Sequence, residues 1–85
     1  MIRVSCLGHI GTSLGKDEVI LECEESTIVE IIKKLRGMAR GADTGFTEFN
    51  TLAIVEDGEA FVPAASKRIV RTGEKVVLIP FSHGG

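Results

Sequence analysis

Apolar and polar positions alternate from the start of the chain. Ile2, Val4 and Cys6 are separated by Arg3 and Ser5, the period of a half-buried strand. Gly8 to Asp17 breaks this pattern with three glycines beside Thr12 and Ser13, and reads as a turn or loop. Alternation resumes over residues 18–23, with Val19, Leu21 and Cys23 on one face. Two strands joined in this way predict an antiparallel hairpin.

A different period follows. Ile28, Ile31, Ile32 and Leu35 lie at the i, i+3, i+4 and i+7 spacing of one helical face. Thr27 precedes Glu30 by three residues, the spacing of a capping box, and marks the helix start. Lys33, Lys34 and Arg36 fall toward the C-terminal end, where cations suit the helix dipole. The helix ends at Gly37 or continues to about Arg40. Residues 41–51 are rich in Gly, Asp, Thr and Asn and form a loop. Phe46 and Phe49 either pin it to the core, the favoured reading, or are exposed for a partner.

Strand character returns at Leu52 to Glu56, and Asp57-Gly58 is a tight-turn signal from which Glu59 to Val62 returns. Residues 63–66 are irregular, and Thr72-Gly73-Glu74 turns the chain again. Val76 to Ile79 is continuously apolar, as in a central strand covered on both sides. The order strand, strand, helix, loop, strand, turn, strand predicts a two-layer α+β domain. With the last strand in the sheet centre beside the first, the arrangement is a β-grasp. It would have a mixed sheet of four to five strands and one main helix over residues 1–80, and a flexible tail at 81–85. The helix stripe is expected to pack on Val4, Val19, Leu21, Ile54, Val76 and Leu78.

Composition narrows the function classes. Eighty-five residues make one domain with a small core. The chain is 44% apolar and 26% charged with net charge −2, a globular balance without a basic nucleic-acid footprint. No apolar run approaches the ~20 residues of a membrane span. The first residues lack the apolar region of a signal peptide, so the cytosol is the expected compartment. Cys6 and Cys23 have no C-x-x-C spacing, and His9 and His83 stand alone, so no metal site and no disulfide frame is expected. Ser13 and Ser82 have no base and orienter at a usable spacing, and no catalytic set is assigned.

The chemistry therefore points to the C-terminus. Pro80 cannot donate to a sheet ladder, so pairing should weaken there. The five residues Phe81, Ser82, His83, Gly84 and Gly85 span at most ~17 Å. Two terminal glycines, without side chains, suit a narrow channel that would place the Gly85 carboxylate beside a nucleotide phosphate. A carboxylate with a pKa of ~3.5 is ionised and a poor electrophile. Adenylation by ATP would supply a leaving group, and sulfide, persulfide or an amine could then attack the acyl carbon. With no nucleotide site in the chain, a partner must carry out the activation. Ser82, His83 and Gly84 would thread the channel, and Phe81 and Pro80 would dock the partner. His83 has two readings, a contact with nucleotide or partner acid and a tail residue without a role.

Several segments together resemble one family. They are Ile2-Arg3-Val4, Ser26-Thr27-Ile28-Val29-Glu30-Ile31-Ile32, Glu56-Asp57-Gly58-Glu59, and Thr72 to Pro80 followed by Gly84-Gly85. The resemblance, over nearly the whole chain, is to the ubiquitin-like β-grasp sulfur carriers and modifiers. These include the small subunit of molybdopterin synthase, the thiamine sulfur carrier, the ubiquitin-related modifier and the small archaeal modifier proteins. It implies adenylation of Gly85 by a ubiquitin-activating-type enzyme that uses ATP, with no cofactor bound by the chain itself. It further implies a C-terminal thiocarboxylate that donates sulfur to an accepting enzyme, of the molybdopterin or tRNA-thiolation type. The alternative is an isopeptide bond to lysines of target proteins. Phe81-Ser82-His83-Gly84-Gly85 is closer to the ubiquitin-related modifier than to the more apolar tails of many molybdopterin synthase subunits. A third reading is a β-grasp interaction module with an inert tail.

Overall fold

Strand alternation, one amphipathic helix and a set of turn glycines build the molecule. The computed structural model describes residues 1–39 and 46–81. β1 (Ile2–Cys6) turns Ile2, Val4 and Cys6 inward, and pairs antiparallel with β2 (Glu18–Leu21), which buries Val19 and Leu21. The expected hairpin is therefore present. β2 stops at Leu21, and Cys23 packs half-buried at the core edge.

The connection between these strands is not the loop expected for Gly8 to Asp17. It contains α1 (His9–Leu14). Ile10 and Leu14, four residues apart, are buried and anchor it. The glycines serve the helix: Gly8 (φ 58°, ψ −141°) and Gly15 (φ 75°, ψ 14°) take positive φ at its two ends, Gly15 in the left-handed helical conformation. The Gly15 and Lys16 amides donate to the carbonyls of Thr12 and Gly11, at 3.2 and 3.1 Å, and close the last turn. A glycine count alone cannot distinguish such caps from a loop.

β3 (Glu25–Thr27) leads into α2 (Ile28–Met38). Thr27 is its N-cap, with Oγ1 accepting the Glu30 amide at 3.3 Å. Ile28, Ile31, Ile32 and Leu35 are the buried face, as the period predicts. Gly37 does not stop the helix, which runs one residue further before Ala39 caps it.

β4 (Thr51–Val55) turns at Asp57-Gly58 into β5 (Ala60–Phe61). Gly58 takes φ 94°, and the Glu59 amide is held by the Asp57 carboxylate at 2.9 Å. A 3-10 turn over Pro63–Ala65 precedes β6 (Ile69–Arg71), and Gly73 (φ 91°) turns the chain into β7 (Lys75–Pro80). β6 pairs with β3 in a separate two-stranded sheet that sequence alternation does not reveal. Three residues are too few to show a period. The pairing is secured by Val70 burial and the Arg71–Glu25 ion pair at 2.8 Å.

The main sheet has the order β2-β1-β7-β4-β5. β7 is central, parallel to β1 and antiparallel to β4. This is a mixed five-stranded β-grasp sheet with one main helix. Two expectations about its faces change. Ile54 does not face the helix: Thr51, Ala53 and Val55 do. All but one residue of β4 are apolar, so composition cannot choose a face. Pairing of Ala53 with Leu78 and of Val55 with Val76 chooses it. Nor is β7 covered on both sides. Val76 and Leu78 are fully buried, whereas Val77 and Ile79 lie half-buried on the outer face.

Candidate functional site

Of the residues assigned to the tail, Ser82, His83, Gly84 and Gly85 lie outside the described residues. Pro80 and Phe81 are described, and they show how the chain leaves the sheet. β7 does not lose its partner at Pro80, which sits opposite Thr51 of β4. The Phe81 amide donates to the Asn50 carbonyl at 3.0 Å, so backbone bonding continues one residue beyond the proline. On the other side, the Leu7 amide donates to the Leu78 carbonyl at 3.0 Å. Gly8 then comes so close to Pro80 that a Cβ on it would lie 2.9 Å from the proline Cγ.

Asn50 is itself organised. Its Oδ1 accepts the Thr47 amide at 2.7 Å and lies within 3.3 Å of the Thr51 hydroxyl. This folds the segment before β4, and it separates two aromatics expected to behave alike. Phe46 is fully buried, but Phe49 is 65% exposed. Only Phe46 pins the segment to the core. Phe49 is left near the end of the sheet where β7 finishes.

The outer sheet face adjoins this point. Leu7, 46% exposed, continues the outward alternation of β1. Ile79 is paired with Leu52, and Val77 with Ile54, all four half-buried and facing away from α2 among the described residues. Apolar side chains thus occupy the part of the open face nearest to Phe81. The other end of that face is charged. Arg3 pairs with Lys75 across the parallel ladder and approaches Glu18 to 3.8 Å. A concavity of about 260 Å³ lies there, lined by Met1, Arg3, Ile20, Glu56 and Lys75 among others. It is five residues of strand, about 17 Å, from Pro80, and is no part of the tail site.

Neither thiol is bonded to the other. Burial, helped by the Asp17 carboxylate, pushes the Cys6 thiol up to about 11, so the thiolate needed of a nucleophile is scarce at neutral pH. Among the described residues, no cluster of His, Cys, Asp and Glu is arranged to hold a metal ion, and no helix is long and apolar enough to cross a membrane. The features that sequence reading missed here are Gly8, Asn50, Leu7 and the outer face. An apolar residue at the next outward position of β1 was the available signal for Leu7. The contact of Gly8 with Pro80 had none, because the two are far apart in the chain.

No family model matches the chain, and no curated protein matches it. The fold is similar to that in the crystal structure of SAMP1 from Haloferax volcanii, with a TM-score of 0.64 at 16% sequence identity, covering 99% of this chain and 98% of that one. Likeness over the full length of both chains supports the ubiquitin-like β-grasp fold.

Proposed function

We propose that this chain is a ubiquitin-like carrier whose Gly85 carboxylate is activated by a separate adenylating enzyme and then takes up sulfur. The observation that carries the reading is the pairing of sequence and topology. A terminal Gly84-Gly85 follows, by a few residues, the central strand of a β-grasp sheet. The fold likeness to SAMP1, a protein named as a small archaeal modifier, supports it.

The chemistry runs in two steps. A carboxylate oxygen of Gly85 attacks the α-phosphorus of ATP and expels pyrophosphate, giving an acyl adenylate. Hydrosulfide then attacks the acyl carbon and expels AMP, leaving a thiocarboxylate that donates sulfur to an accepting enzyme. An amine of a target lysine would attack the same carbon, lose a proton and form an isopeptide bond. That modifier role is the second reading, and it shares every step up to the adenylate. The activating enzyme docks on the apolar end of the outer face, where Leu7, Leu52, Ile79 and Phe49 surround the departure of the tail. Phe81 and Pro80 border this surface, Ser82, His83 and Gly84 enter the enzyme's channel, and ATP is bound by the enzyme alone. The cytosol is the compartment in which ATP and sulfide donors meet such a carrier.

The test is ATP–pyrophosphate exchange with the cognate activating enzyme, read beside the intact mass of the carrier. Wild type should support exchange and acquire a thiocarboxylate. Deletion of Gly85 retracts the carbonyl by ~3.5 Å and should abolish both, with an unchanged thermal melt. Full exchange by the deletion variant would leave the interaction-module reading in its place.

A further inference from the structure

Residues on either side of β7 converge on its last residue, Pro80, and on Phe81 just beyond it. Gly8 approaches Pro80 from the end of β1, and a Cβ there would meet the proline ring at 2.9 Å. Gly8 is not free to move away. Its carbonyl accepts the Thr12 amide at 3.3 Å within α1, and the preceding Leu7 amide is bonded to Leu78. Its φ of 58° with ψ of −141° is a conformation that residues with a Cβ rarely adopt. From the β4 side, the Asn50 carbonyl holds the Phe81 amide, and the Asn50 side chain holds the Thr47 amide. The strand end is thus gripped by two segments that lie about forty residues apart in the chain.

Resting on the carrier reading, we propose that Gly8 and Asn50 are positioning residues: they hold Pro80 and Phe81 and so fix the point from which Gly85 is presented. Four residues beyond Phe81 span at most ~14 Å, whatever their arrangement. With a reach this short, a displaced origin is not readily absorbed by the tail. A misplacement of ~1 Å at the reacting group can cost ~100-fold in rate. The grip acts on the geometry of the carboxylate and not on docking, so its loss appears in kcat. Loss of an apolar docking contact appears in KM.

Two pairs of variants separate these effects in the exchange assay. Phe81→Ala keeps the amide that bonds Asn50, and Phe81→Pro removes it. Both lose the aromatic side chain, so both should raise KM alike, and Phe81→Pro should in addition lower kcat at least ~10-fold. Gly8→Ala places a Cβ against Pro80 and strains a backbone that suits glycine alone, and should lower kcat of the folded fraction with KM within about twofold. Melts define the folded fraction at assay temperature, and the Phe81 amide of wild type should be protected from hydrogen exchange as β7 is. The proposal is overturned if Phe81→Pro matches Phe81→Ala in kcat, if the losses follow the folded fraction, or if the Phe81 amide exchanges freely. Absence of exchange by wild type would instead overturn the carrier reading, and this proposal with it, while the amide protection would still report the grip itself.

Discussion

Replacing Gly11 and Gly37 by alanine should change stability in opposite directions, although both are helical glycines. Helix propensity favours Ala over Gly by ~0.5–1 kcal/mol in a helix interior. Gly37 lies in α2, and an added Cβ has nothing within 4 Å. Gly37→Ala should therefore stabilise by up to ~1 kcal/mol, with the smaller end expected so close to the helix terminus. Gly11 lies in α1, where a Cβ would sit 2.7 Å from the Cys6 carbonyl oxygen and 3.3 Å from both the Lys16 carbonyl and the Asp17 carboxylate. The neighbouring backbone cannot give way cheaply. The Cys6 amide donates to Asp17 at 2.8 Å, and Cys6 is paired with Leu78 of the central strand. Overpacking of this kind costs ~1–3 kcal/mol, which outweighs the propensity gain. Gly11→Ala should be destabilised by up to ~2 kcal/mol. The two variants should differ by ~1–3 kcal/mol, and because both gain propensity, most of that difference is the steric cost. In a domain of this size each kcal/mol moves the midpoint by ~4–8 °C. Urea unfolding at constant m-value, with thermal melts alongside, gives both numbers. If Gly11→Ala gains as much stability as Gly37→Ala, the close packing of α1 on the end of β1 is wrong.

Other outcomes are equally open to measurement. Ile32→Ala should cost ~2–5 kcal/mol, because its side chain is fully buried between α2 and the sheet, and denaturant unfolding reads the loss directly. Under native conditions a thiol reagent should label Cys23, half-buried, well before Cys6, whose raised pKa and burial protect it, and equal rates would contradict the placement of Cys6. Arg68 bonds Asp57, Glu59 and Glu74 at 2.9, 2.6 and 3.2 Å, tying the β4–β5 turn to the β6–β7 turn. The Glu59 amide, followed by Arg68, holds the Asp57 carboxyl below its ordinary value of 3.8. A depressed carboxyl stabilises the fold above its unfolded pKa, and that contribution is lost as pH falls through the lower folded value. Asp57→Asn should therefore flatten stability against pH below about 4, and leave an unchanged slope there only if the contact is absent.

Local pattern settled more of this fold than its length suggests. The 3.6-residue period of Ile28, Ile31, Ile32 and Leu35 and the cap at Thr27 need only neighbours within a few turns, so α2 was legible with its buried face. Asp57-Gly58 and Thr72-Gly73 were legible because a left-handed backbone strongly favours glycine. The diglycine is visible in the sequence as a composition, and the role proposed for it rests on that and not on the described residues. What remained undetermined was whatever depended on a distant partner. Composition could not say that Ile54 faces outward, because an almost wholly apolar strand carries no period and its face is chosen by register with β7. It could not separate Phe46 from Phe49, because the folding of their segment depends on the Asn50 side chain. The glycines from 8 to 15 read as a loop until the burial of Ile10 and Leu14 gave α1 a surface to pack on. The grip on Pro80 and Phe81 also arises only in three dimensions. Sequence specifies which backbone shapes a residue tolerates, whereas proximity between Gly8, Asn50 and the end of β7 is produced by the parallel and antiparallel pairings that place β7 between β1 and β4.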